Sequence, residues 1–266
     1  MSHNISGVGS ALVLCLSLLT LTGCSKDEEL SPALVLEKAD AATQEVTSYH
    51  FTMSYAVTAE GVEKTTVVIE GEGDYLALDR MRVEMRMGIT PDQRIQEQIT
   101  IGNTRYTRDS ESSLWSMREL PEDRPSAWGY LEDFMNASAE DVAQLDSENI
   151  DGVECWHYRI SIDPLEKQVQ TMEEETDLEM KERLRELVEI MRQREITQEK
   201  ELWIGKEDYL VRQNRFIASQ KTHEGDDLGF QDVTLPEGTR FTMTTTTKLS
   251  GFNEPVEIEA PTGVAD

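Results

Sequence analysis

Basic residues are scarce in this chain: 25 Lys and Arg face 52 Asp and Glu, a formal charge of −27 at neutral pH. That excess repels the phosphates of nucleic acid, so no nucleic-acid partner is expected. It also disfavours lying flat on an anionic lipid surface. Most of this acidity is expected to be solvated rather than part of a docking face. Cysteine is scarcer still, with only Cys15, Cys24 and Cys155. There is no Cys-x-x-Cys, no His-Glu-x-x-His, no Gly-x-Ser-x-Gly and no Gly-rich loop ending in Lys-Ser or Lys-Thr. Those absences exclude the commonest zinc, serine-hydrolase and nucleotide-binding signatures. A run long enough to span a membrane, roughly 20 apolar residues, is missing too. Neither an internal repeat nor a low-complexity tract is found.

What is present begins at the amino terminus. The first 23 residues hold no Asp, Glu, Lys or Arg. Within them Ala11 to Leu21 is an apolar stretch of signal-peptide length. The first ten residues carry only His3 where export signals usually begin with Lys or Arg. Leu21-Thr22-Gly23-Cys24 then resembles the bacterial lipobox, and Ser25-Lys-Asp-Glu-Glu switches at once to polar sequence. The resemblance implies cleavage after Gly23 and a lipid on the Cys24 thiol, placing the protein at a membrane on its extracytoplasmic side. Residues 1–23 are thus expected to be a signal peptide, 24–32 a lipidated tether, and 33–266 a single domain. After processing only Cys155 remains, so no internal disulfide can form. The mature chain, about 240 residues, is long enough to hold together by its own core.

Along the domain the hydrophobic period changes several times. Leu34, Leu36, Ala39, Ala42 and Val46 share one side of an opening helix. Tyr49, Phe51, Met53, Tyr55 and Val57 then alternate with His50, Thr52, Ser54 and Ala56, the pattern of a half-buried strand. Met81, Val83, Met85 and Met87 alternate with Arg82, Glu84 and Arg86 in the same way. Ile99-Ile101, Arg105–Arg108 and Leu114–Met117 read as further strands, and Ala127 to Leu145 as one or two short helices. Trp156, Tyr158, Ile160 and Ile162 share a strand face after the Asp151-Gly152 turn. From about 165 to 200 the chain is a charged helical segment whose stripe is Met180, Leu184, Leu187, Val188 and Met191. This stripe packs on a sheet or forms a lid. A hairpin around Gly205 to Asp208, a strand from Arg240 to Leu249 and an edge strand from Glu254 to Pro261 complete the chain. The fold class is therefore α+β, about ten mostly antiparallel strands with helices against one face.

The chemistry-bearing residues form no persuasive active site, and no enzymatic activity, metal or cofactor is expected. Cys155 and His157 share a strand face, and the plain reading is a packed thiol beside a solvent-facing histidine. Glu224, Asp226 and Asp227 are neighbouring carboxylates without EF-hand spacing. The positive signal is apolar: Met, Tyr, Phe and Trp on alternating strand faces. Methionine suits adaptable apolar surfaces, although a plain core would use the same residues.

Four stretches together resemble the LppX/LprG-type lipoproteins and their LolA-like relatives. They are Ser48-Tyr-His-Phe-Thr-Met after the opening helix, Asp151-Gly-Val-Glu-Cys-Trp-His-Tyr, Leu202-Trp-Ile-Gly-Lys-Glu-Asp-Tyr-Leu-Val-Arg, and Leu249-Ser-Gly-Phe-Asn-Glu-Pro-Val-Glu-Ile-Glu-Ala-Pro. The resemblance implies an open half-barrel, a large curved antiparallel sheet with helices on its concave face. It also implies an apolar cavity for acyl chains of lipids or of a lipoprotein anchor, with transfer by handover. Residues expected to line such a cavity are Phe51, Met53, Tyr55, Met81, Val83, Met85, Trp156, Tyr158, Leu184, Leu187, Val188, Met191, Trp203, Phe241 and Met243. The alternative expectation is a sensor or protein-interaction module of the same fold without lipid cargo.

Overall fold

The computed structural model describes residues 30–61, 67–77, 80–88, 94–121, 134–137, 141–174, 176–222 and 236–264. Residues 1–29, which include Cys24, the expected signal peptide and most of the expected tether, lie outside these residues, as do the carboxylates at 224–227.

Helix α1 (Pro32–Gln44) begins where Ser31 accepts a hydrogen bond from the Leu34 amide and Pro32 pre-sets the first turn. Strands follow in chain order: β1 (Ser48–Ala59), β2 (Val67–Leu76), β3 (Arg80–Met87), β4 (Arg94–Ile101), β5 (Thr104–Asp109) and β6 (Ser116–Glu119). Next come β7 (Val142–Ile150) and β8 (Val153–Ile162), then helices α2 (Pro164–Glu174) and α3 (Leu178–Gln193). The chain closes with β9 (Thr197–Gly205), β10 (Val211–Lys221) and β11 (Arg240–Ser250). All eleven strands form one curved, unclosed antiparallel sheet in the order β6-β5-β4-β3-β2-β1-β11-β10-β9-β8-β7. The α+β half-barrel expected from the sequence is thus the observed architecture, with eleven strands rather than ten.

Directly paired residues of neighbouring strands point to the same side, so the register defines two faces. The inner face carries Phe51, Met53 and Tyr55 of β1 and continues through Leu249 and Met243 of β11. On β9 and β8 it carries Leu202 and Ile204, paired with Tyr158 and Trp156. Helix α1 lies on this side: the Lys38 ammonium sits over the Tyr209 ring and bonds its hydroxyl, and Tyr209 stacks on Trp156. The tightest packing is here, with Val35, Leu36 and Ala39 of α1 and Tyr158, Ile160, Leu202 and Ile204 of the sheet all buried.

Several local expectations are corrected. Residues 142–150 form strand β7, not helix, because Asp151 and Gly152 both take positive φ and fold the chain back on itself in a tight hairpin. In the preceding stretch a helical turn covers 134–136, and residues 127–133 and 138–140 of the expected helices lie outside the described residues. The strand expected at Leu114–Met117 runs two residues later, as β6. The charged helical segment stops at Gln193 because Glu195 adopts φ 48° and is clamped by Lys221 and Arg240, which turns the chain into β9. No strand forms at Glu254–Pro261. This segment instead crosses the ends of β1 and β3 as a strap, held by Ser48 Oγ on the Glu254 carbonyl and by Arg80 on the Ile258 carbonyl. The strap reaches Trp115, whose amide donates to the Gly263 carbonyl.

Candidate functional site

On β1, β2 and β3 the inner face is a methionine surface with a glycine trough. Gly71 and Gly73 of β2 stand between Met53 and Phe51 of β1 and Met85 and Val83 of β3. A Cβ on Gly73 would lie 2.8 Å from the Phe51 ring and 2.1 Å from the Arg82 carbonyl oxygen, and one on Gly71 would lie 2.9 Å from Met53 Cγ. The missing side chains therefore let Phe51 and Met53 lie across β2. Phe51 and Val83 are buried, whereas Met53, Tyr55, Met81, Met85 and Met243 are only half-buried. Phe241 is buried in a small cluster with Val57 and Ala59, against which Tyr55 and Met243 pack. Of the residues expected to line a cavity, the register brings Phe51, Met53, Tyr55, Met81, Val83, Met85, Phe241 and Met243 onto one contiguous surface.

Trp156 and Tyr158 occupy the same face farther along the sheet, Tyr158 within the packed core and Trp156 under Tyr209. The α3 residues lie elsewhere. Helices α2 and α3 pack on each other, and Val188 is buried with Leu184 and Met191 half-buried, while Leu187 is exposed. Met191 joins Leu165, Ile162 and Ile196 in lining a cleft of about 510 Å³ where the helical hairpin meets the ends of β8 and β9. Met180, Ile190 and Leu178 of α3 are exposed as well, the last 82% accessible.

Trp203 is a correction. Its register partners are His157 and Gln213, which places it on the outer face, opposite Tyr158 and Leu202. There it closes a polar cluster that sequence reasoning missed. Glu201, 1% accessible, accepts hydrogen bonds from Arg159 Nε at 2.9 Å and Arg215 Nε at 2.6 Å. The Arg215 guanidinium sits 5.2 Å above the Trp203 ring, His157 stacks on that ring at 4.1 Å, and Trp203 Nε1 donates to Glu148 at 3.1 Å. Burial opposes ionisation of Glu201, but hydrogen bonds from Arg215 and Arg159 outweigh it and hold the carboxyl below its usual range. His157 is buried rather than solvent-facing; burial pushes its pKa down against the opposing pull of Glu201 and Glu148. The alternation of β9 hinted at this cluster: Glu199, Glu201 and Trp203 share one face, and Arg159 and His157 share the facing one.

Cys155 is packed, as expected. Its Sγ donates to the Val153 carbonyl at 3.4 Å, and burial pushes the thiol up to about 11. It is a thiol at neutral pH, without the thiolate character that nucleophilic chemistry needs. Among the described residues no group of three or more His, Cys, Asp or Glu side chains is arranged to hold a metal ion. No helix among them is long and apolar enough to cross a membrane.

The inner face changes character beyond β3. Met81, Val83 and Met85 pair with Thr100, Gln98 and Gln96 of β4. These pair in turn with Arg105, Thr107 and Asp109 of β5, and Arg118 and Ser116 of β6 follow. Six of these side chains, Gln96, Gln98, Arg105, Thr107, Ser116 and Arg118, line a pocket of about 320 Å³. The outer face inverts in step: Arg82 and Arg86 of β3 are followed by Ile99 and Ile95 of β4.

No protein-family model matches the sequence, and no curated protein sequence does either. Among solved structures the chain is similar to the Mycobacterium tuberculosis lipoprotein LppX, at 13% identity and TM-score 0.42 over 85% of this chain and 97% of that one. It is similar to LprF from Mycobacterium bovis, at 13% identity and TM-score 0.44 over 86% and 96%. A LolA superfamily protein from Nitrosomonas europaea follows at 14% identity and TM-score 0.27 over 82% and 93%.

Proposed function

We propose that this chain is a membrane-anchored, extracytoplasmic lipid-binding protein that takes acyl chains onto the inner face of β1–β3 and β11 and hands lipid or lipoprotein on without covalent chemistry. The observation that carries this reading is the contrast in burial across one face. Tyr158, Ile160, Leu202 and Ile204 are packed shut, whereas Met53, Tyr55, Met81, Met85 and Met243 remain half-accessible on the same side of the sheet. A core that used these methionines only for packing would bury them; an adaptable apolar surface leaves them for a ligand to cover. Each acyl methylene buried there contributes about 0.8 kcal/mol, so a chain laid along a few residues binds firmly. Cys24 is the proposed anchor, with the short acidic stretch after it as the leash.

Native mass spectrometry of the purified protein tests the reading. Co-purified lipid, or uptake of a fluorescent fatty-acyl probe, is expected; repeated preparations with neither would sink it. Intact-mass analysis of the membrane-extracted protein checks the anchor, because Cys24→Ala removes the added diacylglycerol mass and releases the protein from membranes.

A second reading, an interaction module without cargo, draws on the exposed side of α3. Met180, Leu187 and Ile190 leave an apolar strip in solvent. It predicts a protein complex that Leu187→Lys abolishes while acyl uptake stays absent throughout.

A further inference from the structure

Arginine is a limited resource in this acidic chain, yet Arg105 and Arg118 are placed directly opposite each other on β5 and β6. Like charges across a strand pair are destabilising. Neither guanidinium forms a hydrogen bond or ion pair among the described residues, although nearby Arg94 and Arg108 are matched by Asp109 and Glu97. Arg105 Nε is buried without a partner, and so is Oγ1 of Thr100, the residue paired with Arg105 on β4 and itself 2% accessible. An uncompensated donor and an unrelieved repulsion therefore share one row of the sheet. A buried orphan donor is costly, a cost relieved when an anion is bound.

We propose that Arg105 and Arg118 hold an oxyanion of the phosphate type, carried as the head of an amphiphile whose chains lie on the methionine surface of β1–β3. This inference rests on the lipid-binding reading above. Guanidinium forks match phosphate oxygens bidentately. The pocket lined by both arginines with Gln96, Gln98, Thr107 and Ser116 measures about 320 Å³, enough room for such a group. The row of Arg105 leads through Thr100 to Met81, and the next leads through Gln98 to Val83. Two strand spacings, about 10 Å, thus separate the cationic pocket from the apolar surface on the same face. That spacing is the size of a lipid's polar-to-apolar boundary, which makes the head group and the chains parts of one ligand.

The test compares acyl-matched phosphatidylglycerol, diacylglycerol and inorganic phosphate, using the purified full chain, the single variant R118Q and the double variant R105Q/R118Q. Circular dichroism monitors folding, and R118Q alters only a solvent-facing side chain. Phosphatidylglycerol is expected to bind about tenfold or more tighter than diacylglycerol, the factor that one charge-assisted hydrogen bond supplies. R118Q should erode that preference and the double variant abolish it, with diacylglycerol binding unchanged. Equal affinity for the two lipids, unaffected by the variants, would overturn the arginine site and leave the lipid-binding reading standing. Binding of inorganic phosphate that the variants abolish, with no lipid bound, would support the oxyanion site and overturn its lipid source. Binding of none of the three would overturn the inference outright.

Discussion

The two halves of the sheet solve different problems with the same strand geometry. In β8–β10 both faces are shut: Tyr158, Leu202 and Ile204 pack inward, while Trp203, His157 and Glu201 close the outer side. In β1–β5 one face is left half-open, and its polarity changes from methionine to glutamine and arginine within two strands. The closed half resembles a conventional core, closed on its outer side by the charge cluster around Glu201. The open half keeps apolar side chains accessible and leaves two arginines without partners among the described residues, arrangements that stability alone would remove. Stability and ligand binding are therefore expected to separate along the sheet.

Substitutions in the closed half should break stability first. Glu201→Ala leaves Arg159 and Arg215 without their shared carboxylate, a loss of about 3 kcal/mol in chemical denaturation, at the low end for broken buried pairs because both arginines keep contact with water. Acyl uptake per folded molecule should not change; a parallel fall in uptake would erase the distinction between the halves. At the boundary, Gly73→Ala forces a Cβ against the Arg82 carbonyl and the Phe51 ring. About 1–3 kcal/mol of overpacking strain is expected in the same assay, and a neutral result would show that Phe51 does not need the trough.

In the open half, Met85→Asp should weaken acyl-probe binding by about tenfold, the equivalent of two buried methylenes. Stability should fall by under about 1 kcal/mol because Met85 is half-exposed. Unfolding at that position would place Met85 in the core and remove the ligand surface.

The smallest effect is a pH slope. His157 has a folded-state pKa below its ordinary 6.5, so the unfolded chain takes up the proton first as pH falls. Its contribution is fully present above 6.5 and is lost as pH drops from there through the lowered folded value. His157→Gln should flatten that part of the stability profile and leave the acid limb set by Glu201 in place, since that carboxyl also has a lowered pKa and loses its contribution only below the usual carboxylate range. An unchanged profile between pH 6.5 and 5 would show that His157 is not the group responsible.

Much of this architecture was legible in residue order. The alternation in Tyr49–Val57 and Met81–Met87 located β1, β3 and their apolar face, and Trp156, Tyr158 and Ile160 located that of β8. Strand β7 was not legible, because Val142-Ala-Gln-Leu-Asp-Ser-Glu-Asn-Ile is polar on both sides and becomes a strand only through the Asp151-Gly152 hairpin. The stretch Glu254–Pro261 reads as an edge strand because its Val, Ile and Pro fit one; the sheet's edges are in fact β6 and β7. Trp203 reads as a cavity residue by its aromatic character, but it shares parity with Glu201, and the register turns both to the outer face.

By itself the sequence determined the apolar faces of β1, β3 and β8, the opening helix, the charged helical segment and the acidic balance, because these depend on periods, counts and neighbours along the chain. Only the tertiary structure decided which apolar residues are shut in and which stay accessible. It also decided that Glu201 gathers Arg159 and Arg215 while Arg105 and Arg118 stand opposite each other with no partner among the described residues. Those outcomes depend on register between strands distant in the chain, where shifting one pairing by a single residue would turn every side chain to the other face.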